Sequence, residues 1–488
     1  MAISFNDVPS NLLVPFVAVE IDNSRAEQGP SLQPYRALLI GQKTAAGTAT
    51  ANALYKVTSA DDVATLAGRG SMLHRQALAW FAANKLTETW IGVLADNGAG
   101  VAASGTLTVT GPATADGTIS LYIGGELVEV AVSSGDVQND IAAAIEAAID
   151  ANLDLPVTSS TTANAVTVTY RHKGLVGNEL DMRLNYQDGD ALPAGVSIAI
   201  VAMANGTTAP SLTSLISAMG DTQFHILAHP YTDSTSLTAI ENELSSRFGS
   251  MRMIDGVAFT AKQDTHANLG TLGDARNSPH SVIIAAAYSP TQPCEIAAHG
   301  AGTAAKYGNA DPARPFQTLP LPYVKSPAEA DLFTIEERNL LLYDGIATTK
   351  VAAGGVVQIE RLVTTYKTNA AGAADTSYRD VTTMLTLMYL RYSFRNRIQS
   401  RYPRHKLAND GTRFGAGQAV ITPLIGKAEA VLWFKEMEEL GLVEGLDQFK
   451  RDLVVERNQS DPNRLDFLLP PNLINQLVVS AVQVQFRL

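Results

Sequence analysis

The chain has 488 residues, with 36 Lys and Arg against 48 Asp and Glu, a formal net charge of −12, 46% hydrophobic residues and one cysteine. Cys294 alone closes no internal disulfide and builds no cysteine-rich metal cage, so stability must come from burial, and a chain this long buries about three quarters of its unfolded surface. Its most apolar runs, such as Val282–Tyr288, are far shorter than the ~20 residues that cross a bilayer, so no membrane span is expected.

Residues 1–34 read as an extended arm. Val17, Val19 and Ile21 alternate with Phe16, Ala18 and Glu20, between Pro9 and Pro15 on one side and Gly29-Pro30 and Pro34 on the other. No Lys or Arg precedes Arg25, and Pro15 and Glu20 interrupt the apolar segment, so a secretory leader is not expected and synthesis in the cytoplasm is.

Residues 35–96 with 210–375 alternate short apolar runs with helical stretches. Ala37–Gly41, Trp90–Leu94, Phe224–Ala228, Val257–Thr260 and Val282–Ala286 suit strands buried on both faces. Ser59–Leu66, Ser71–Asn84, Leu212–Met219 and Ser234–Arg247 suit the helices between them. Strands alternating with helices predict a mostly parallel α/β core.

Residues 97–209 interrupt that alternation and hold 12 acidic and three basic residues, so −9 of the net −12 lies there. The segment is rich in Thr, Val, Gly and Ala and is bounded by Asp96-Asn97-Gly98 and Asn205-Gly206-Thr207, which read as turns. Period-two runs at Thr106–Thr110, Ile119–Ile123, Leu127–Val132, Ala165–Tyr170 and Val196–Val201 predict strands. Ile141, Ile145 and Ile149 predict a helix over 136–149. The segment is therefore expected to be an inserted, β-rich α+β domain.

Residues 376–470 predict an α+β carboxyl-terminal domain. One long helix runs over 380–401, and Thr422-Pro423 opens another as N-cap and first residue, with Gly441 just past its end. On that second helix Leu424, Ala428, Val431 and Leu432, with Lys435, mark the face expected to pack in the core, with Glu436, Glu438 and Glu439 outside. Residues 471–488 form a second arm, in which Val482, Val484, Phe486 and Leu488 alternate with Gln483, Gln485 and Arg487. Neither arm has a hairpin turn joining it to a neighbouring strand. Each either pairs within its own subunit or adds a strand to another copy's sheet.

Motifs of enzyme chemistry are weak. His225 and His229 are four apart, but the sequence between them and Pro230 after them favour a strand, where the two rings would sit ~13 Å apart, too far to share a metal. His299–Lys306 lacks the Gly-Lys-Ser/Thr run of a phosphate loop and reads as a loop of small residues. Cys294, between Pro293 and Glu295, is a poor nucleophile, and no Gly-x-Ser-x-Gly elbow occurs. No catalytic residue, cofactor or metal is assigned. Arg391, Arg395, Arg397 and Arg401 form a basic stripe on the 380–401 helix, with no acid between Asp380 and Asp410. That stripe either docks on an acidic protein surface or is a solvated or internally paired face; the net charge of the chain opposes direct nucleic-acid binding.

Two long stretches carry a resemblance: the opening MAISFNDVPSNLLVPFVAVEIDNSRA and the closing LVEGLDQFKRDLVVERNQSDPNRLDFLLPPNLINQLVVSAVQVQFRL. With GVAFTAKQDTHANLGTLGDARNSPHSVIIA and DVTTMLTLMYLRYSFRNRIQSRYP between them, the chain resembles the contractile tail sheath proteins of Mu-like bacteriophages over essentially its whole length. The resemblance implies a structural, non-enzymatic subunit that stacks as hexameric rings around a tail tube. Terminal arms link the subunits, and contraction drives the tube through the host envelope for genome delivery. It implies a core that is subtilisin-like in shape, an outer inserted domain and a tube-proximal carboxyl-terminal domain. Partners would be other copies of the chain, the tail tube protein, and baseplate and tail terminator proteins, in a virion tail assembled in the host cytoplasm. Sheaths of pyocins or type VI-like devices share these mechanics, and a subtilisin-like hydrolase is the alternative of a different class.

Overall fold

The computed structural model describes residues 33–487, which fall into two compact units, 34–389 with 473–487 and 390–472. The arm residues Val17, Val19 and Ile21, and Leu488 at the other end, lie outside the described residues.

In the first unit, β1 (Arg36–Gln42) is buried from Ala37 to Gln42, as a run covered on both faces must be. After it come β2 (Leu54–Val57), α1 (Ala60–Ala67), α2 (Met72–Ala83) and β3 (Glu88–Leu94). A capping box opens α1: Ser59 accepts from the Asp62 N–H, and the Asp62 carboxylate accepts from the Ser59 N–H. The inserted segment contributes β4 (Ala102–Thr110), β5 (Gly117–Ile123), β6 (Glu126–Val132), α3 (Gln138–Ala151), β7 (Val157–Thr162), β8 (Ala165–Lys173), β9 (Met182–Leu184) and β10 (Ser197–Ala204). The chain then returns through α4 (Thr213–Met219), β11 (Ile226–Ala228), α5 (Ser234–Phe248), β12 (Val257–Lys262), α6 (His266–Asp274), β13 (Ser281–Ala285), α7 (Pro293–Ala310), α8 (Ile335–Tyr343), β14 (Ile346–Val351) and β15 (Val357–Arg361).

These strands form an eight-stranded sheet in the order β15-β14-β13-β12-β11-β1-β3-β2. Pairing is parallel from β14 to β3, and the edge strands β15 and β2 are antiparallel. The sequence reading missed both edge strands, which are short and only partly buried, and also β14, whose Thr348, Thr349 and Lys350 break the apolar run. The insertion forms two sheets, β10-β4-β8-β7 and β6-β5-β9, around a core that includes Ile141, Ile145 and Ile149 of α3.

One expectation fails outright. Residues 299–306 are not a loop but the middle of α7, an 18-residue helix opened by Pro293 and buried along most of its length. Its small residues serve close packing. A Cβ on Gly302 would come 3.1 Å from the Ala83 Cβ of α2, and one on Gly300 would come 2.7 Å from Ile284 of β13. A helix covered on both sides has no amphipathic period, which is why the pattern concealed it.

The helix α9 (Val381–Arg401) follows, and its Val381, Met384, Leu385 and Met388 join the core of the first unit. The second unit takes up the chain at Leu390. It contains β16 (Lys406–Leu407), β17 (Val420–Ile421), α10 (Pro423–Glu439), β18 (Val443–Glu444), α11 (Leu446–Asp452), β19 (Val454–Arg457) and β20 (Leu465–Leu468), and its last residue, Asn472, opens β21 (Asn472–Leu473). Thr422 caps α10 by accepting from the Ile425 N–H, and Gly441 follows its end at φ +71°. The core stacks Phe434 on Phe449 at 4.1 Å between ring centroids, and the Trp433 indole donates to Ser393 Oγ at 2.9 Å.

The expected inward face of α10 is also corrected. Gly426, Glu429, Ala430, Trp433, Phe434 and Met437 are buried, whereas Leu424 is 66% and Leu432 47% exposed. The helix has two apolar faces, and the sequence does not say which one the aromatic cluster covers.

Candidate functional site

The features with functional potential are surfaces and chain ends rather than a pocket of reactive groups. Among the described residues no cluster of three or more His, Cys, Asp or Glu could hold a metal ion, and no helix is long and apolar enough to cross a membrane.

The carboxyl-terminal segment follows from its sequence. Residues 474–487 belong to no helix or strand among the described residues. Val482, Val484 and Phe486 are 82%, 82% and 80% exposed, although their alternation with polar residues is that of a half-buried strand. Such a segment leaves unburied the apolar face that its sequence provides. Its root is held to the first unit: the Gln317 side chain donates to the Leu477 carbonyl at 3.1 Å, and Gln476 Nε2 donates to Thr382 Oγ1.

The second unit carries open strand edges. β19 and β20 form an antiparallel pair with Val454 opposite Leu468, Val455 opposite Phe467 and Glu456 opposite Asp466. Val455, Leu465 and Phe467 face α10, so closely that a Cβ on Gly426 would lie 3.1 to 3.2 Å from all three. Among the described residues the pair is joined by no third strand, and Leu468 on its outer face is 62% exposed. Packing on α10 supports the pair, and its outer edges keep unpaired backbone groups.

The arginine stripe has two members in an internal network. Arg397 pairs with both Glu429 and Glu436 of α10, Arg401 reaches Glu429 at 3.2 Å, and the Tyr402 hydroxyl donates to Glu429 at 3.0 Å. Arg397 and Glu429 side chains are only 8% and 6% exposed. Arg391 is also partnered, and Arg395 is half-buried.

The inserted segment is tied firmly to the α/β sheet. Arg69 grips Asp154 through two bonds at 2.7 and 2.6 Å, Lys262 reaches Glu179 at 2.6 Å, and the Met72 N–H donates to His172 Nε2 at 2.9 Å. At the centre, Arg75 joins Glu295 of α7 to Glu126 of the insertion.

The histidines and the cysteine take structural places. His225 and His229 flank β11, both buried, and burial lowers each to about 4, so both rings are neutral at ordinary pH. His225 stacks on Tyr35 at 4.5 Å and accepts from the Arg36 N–H at 3.1 Å. Cys294 is buried, and burial pushes its thiol well above the ordinary range, the opposite of what an attacking thiolate needs.

Residues 205–365 match the phage tail sheath protein central domain, and residues 373–487 match the phage tail sheath C-terminal domain. The Mu-like prophage FluMu tail sheath protein of Haemophilus influenzae is 40% identical over 488 residues, covering all of both chains. The solved sheath of an extracellular contractile injection system, PVC, in its contracted state matches with a TM-score of 0.50 at 9% identity, over 98% of each chain. A sheath tail protein from Desulfitobacterium hafniense matches with a TM-score of 0.47 at 13% identity, over 94% of this chain and 100% of that one. The chain belongs to the phage tail sheath protein family.

Proposed function

We propose that the protein is the structural subunit of a contractile phage tail sheath, stacking as hexameric rings around a tail tube and shortening to drive that tube through the host envelope. The observation that carries this reading is the exposed, strand-patterned segment Val482–Phe486 on a chain 40% identical to a tail sheath protein throughout. Added as a strand to another copy's sheet, the segment gains backbone hydrogen bonds and buries its valines and Phe486. The open edges of the β19–β20 pair are the recipients in this reading, because an added strand satisfies their unpaired backbone groups. Val17, Val19 and Ile21 form the corresponding amino-terminal link.

A sheath needs links that survive contraction and contacts that exchange. Strand pairing supplies the first, because it is satisfied whatever the bodies do at either end of a flexible flank such as Pro470-Pro471. The globular contacts supply the second: an extended array held behind a barrier releases many small gains when its subunits rotate. The insertion, tied by Arg69–Asp154, Lys262–Glu179 and Arg75–Glu126, turns with the α/β body rather than against it. A subtilisin-like shape of that body is part of this reading and brings no catalytic residue with it. Its working partners are other copies, the tube, the baseplate and the terminator, in a virion tail assembled in the host cytoplasm.

Negative-stain microscopy of the concentrated purified protein tests the proposal. Hollow, transversely striated cylinders are expected; a protein that stays monodisperse at every concentration, alone and with tail tubes, contradicts it.

A further inference from the structure

We infer that the crevice where β13 parts from β14 is a binding site for an apolar monocarboxylate of about the size of benzoate, whose charge is received by Lys325 and Lys350. The site is independent of the proposed sheath role, and its lining lies within residues 285–357 of the first unit.

The sheet opens this crevice by its own topology. β14 runs parallel to β13, with Ile283 beside Ile346 and Ile284 beside Ala347, and then continues to Val351, where its partner is Val357 of β15. β13 ends at Ala285, and the chain turns away through Ala287 and Tyr288, both left-handed at φ +45° and +55°. Residues other than glycine adopt that conformation at a cost, and here Arg183 holds the turn by donating to the Tyr288 carbonyl at 3.1 Å. The gap between the diverging strands lies at their carboxyl ends, where open α/β sheets hold ligands.

The crevice encloses about 160 Å³, close to the volume of a cavity that admits benzene. Its walls are largely apolar, built from Ile296, Val324, Phe333, Val351 and Val357. Among the described residues three cations line it and no acid does. Arg338 is already committed, because its Nε donates to Glu360 at 2.8 Å and its Nη1 to the Phe333 carbonyl at 2.5 Å. Glu360 in turn also accepts from Thr348 Oγ1 at 2.9 Å. Lys325 and Lys350 are half-buried, and among the described residues neither ammonium has a counter-ion. Lysine is seldom withdrawn from water without one.

Lys325 is also fixed in place. Its N–H donates to Thr291 Oγ1 at 2.9 Å, its carbonyl accepts from Ser289 Oγ at 2.6 Å, and a Cβ on Gly125 would lie 3.3 Å from its Cδ and Cε. An apolar slot with two unbalanced ammoniums selects a ligand that has one negative end and a ring-sized apolar body. The carboxylate accepts from the lysines while the body fills the walls.

The test titrates the full-length chain with benzoate, with benzyl alcohol as its neutral counterpart and benzylamine as its cationic one, at fixed ionic strength, by calorimetry and by the thermal midpoint. Benzoate is expected to bind once per chain and to raise the midpoint, and the other two to bind more weakly by about tenfold or more. Lys325→Met with Lys350→Met keeps the stems and removes the charges, and should weaken benzoate by about tenfold or more, whereas Lys350→Arg should retain it. Val351→Phe fills the slot, leaves both lysines, and should abolish binding. Benzoate that fails to bind at tens of millimolar, benzyl alcohol that binds as tightly, or benzoate binding untouched by the methionine pair or by Val351→Phe would each overturn the site.

Discussion

Arg75 of α2 grips Glu295 of α7 with both sides of its guanidinium, Nε to Oε1 at 2.7 Å and Nη2 to Oε2 at 3.1 Å, with the two side chains 2% and 1% exposed. The same Nη2 reaches Glu126 of the insertion at 2.7 Å. One buried cation therefore fixes the crossing of two core helices and the seat of the inserted segment.

Removing Glu295 leaves the buried Arg75 with only the partly exposed Glu126 as counter-charge. Glu295→Leu is expected to cost about 3–5 kcal/mol, measured by urea unfolding of the unassembled protein. The double variant Arg75→Met with Glu295→Leu should recover much of that loss, since Glu126 is 41% exposed and can be solvated. No recovery would mean that the pair supplies more than charge balance.

The 390–472 unit has its own equivalent. Glu429 gathers Arg397, Arg401 and Tyr402, and Arg397 is nearly buried. Glu429→Ala is expected to destabilise by about 3 kcal/mol. Hydrogen exchange should rise across residues 390–472 while the α/β sheet keeps its protection. If Arg397 served a partner protein instead, the variant would fold with unchanged protection and lose only that partner.

The pH dependence has a definite sign. His225 and His229 sit near 4 when folded, against 6.5 for a free histidine, because burial disfavours their charged forms. Between those values the unfolded chain binds more protons than the folded one, so their contribution is present above pH 6.5 and is lost as pH falls toward 4. Each contributes a slope of up to about 1.4 kcal/mol per pH unit in that window. His229→Gln should flatten the measured stability-against-pH curve by that amount between pH 4 and 6.5; an unchanged slope would place a solvated, ordinary histidine there.

Much of the fold was legible in the sequence, and the failures share a physical cause. Ala37–Gly41 and Val257–Thr260 announce buried strands because no polar residue interrupts them, and β1 and β12 stand there. The α7 helix was hidden because glycines and alanines selected for close packing against Trp80 and Ile284 look, in one dimension, like loop residues. For α10, an apolar stripe shows that a face is dry somewhere, not whether its cover is this subunit; Leu424 and Leu432 are exposed in this one. The pairing of Arg397 was invisible because its partners Glu429 and Glu436 lie on another helix, and local charge patterning sees only neighbours along the chain.

The linking arms are tested most directly by deleting Val482 to Leu488 and following the purified protein by analytical ultracentrifugation and electron microscopy. A folded, soluble monomer that forms no cylinders, under conditions where the full-length chain does, is the outcome predicted here. Long tubes built from the shortened chain would contradict it.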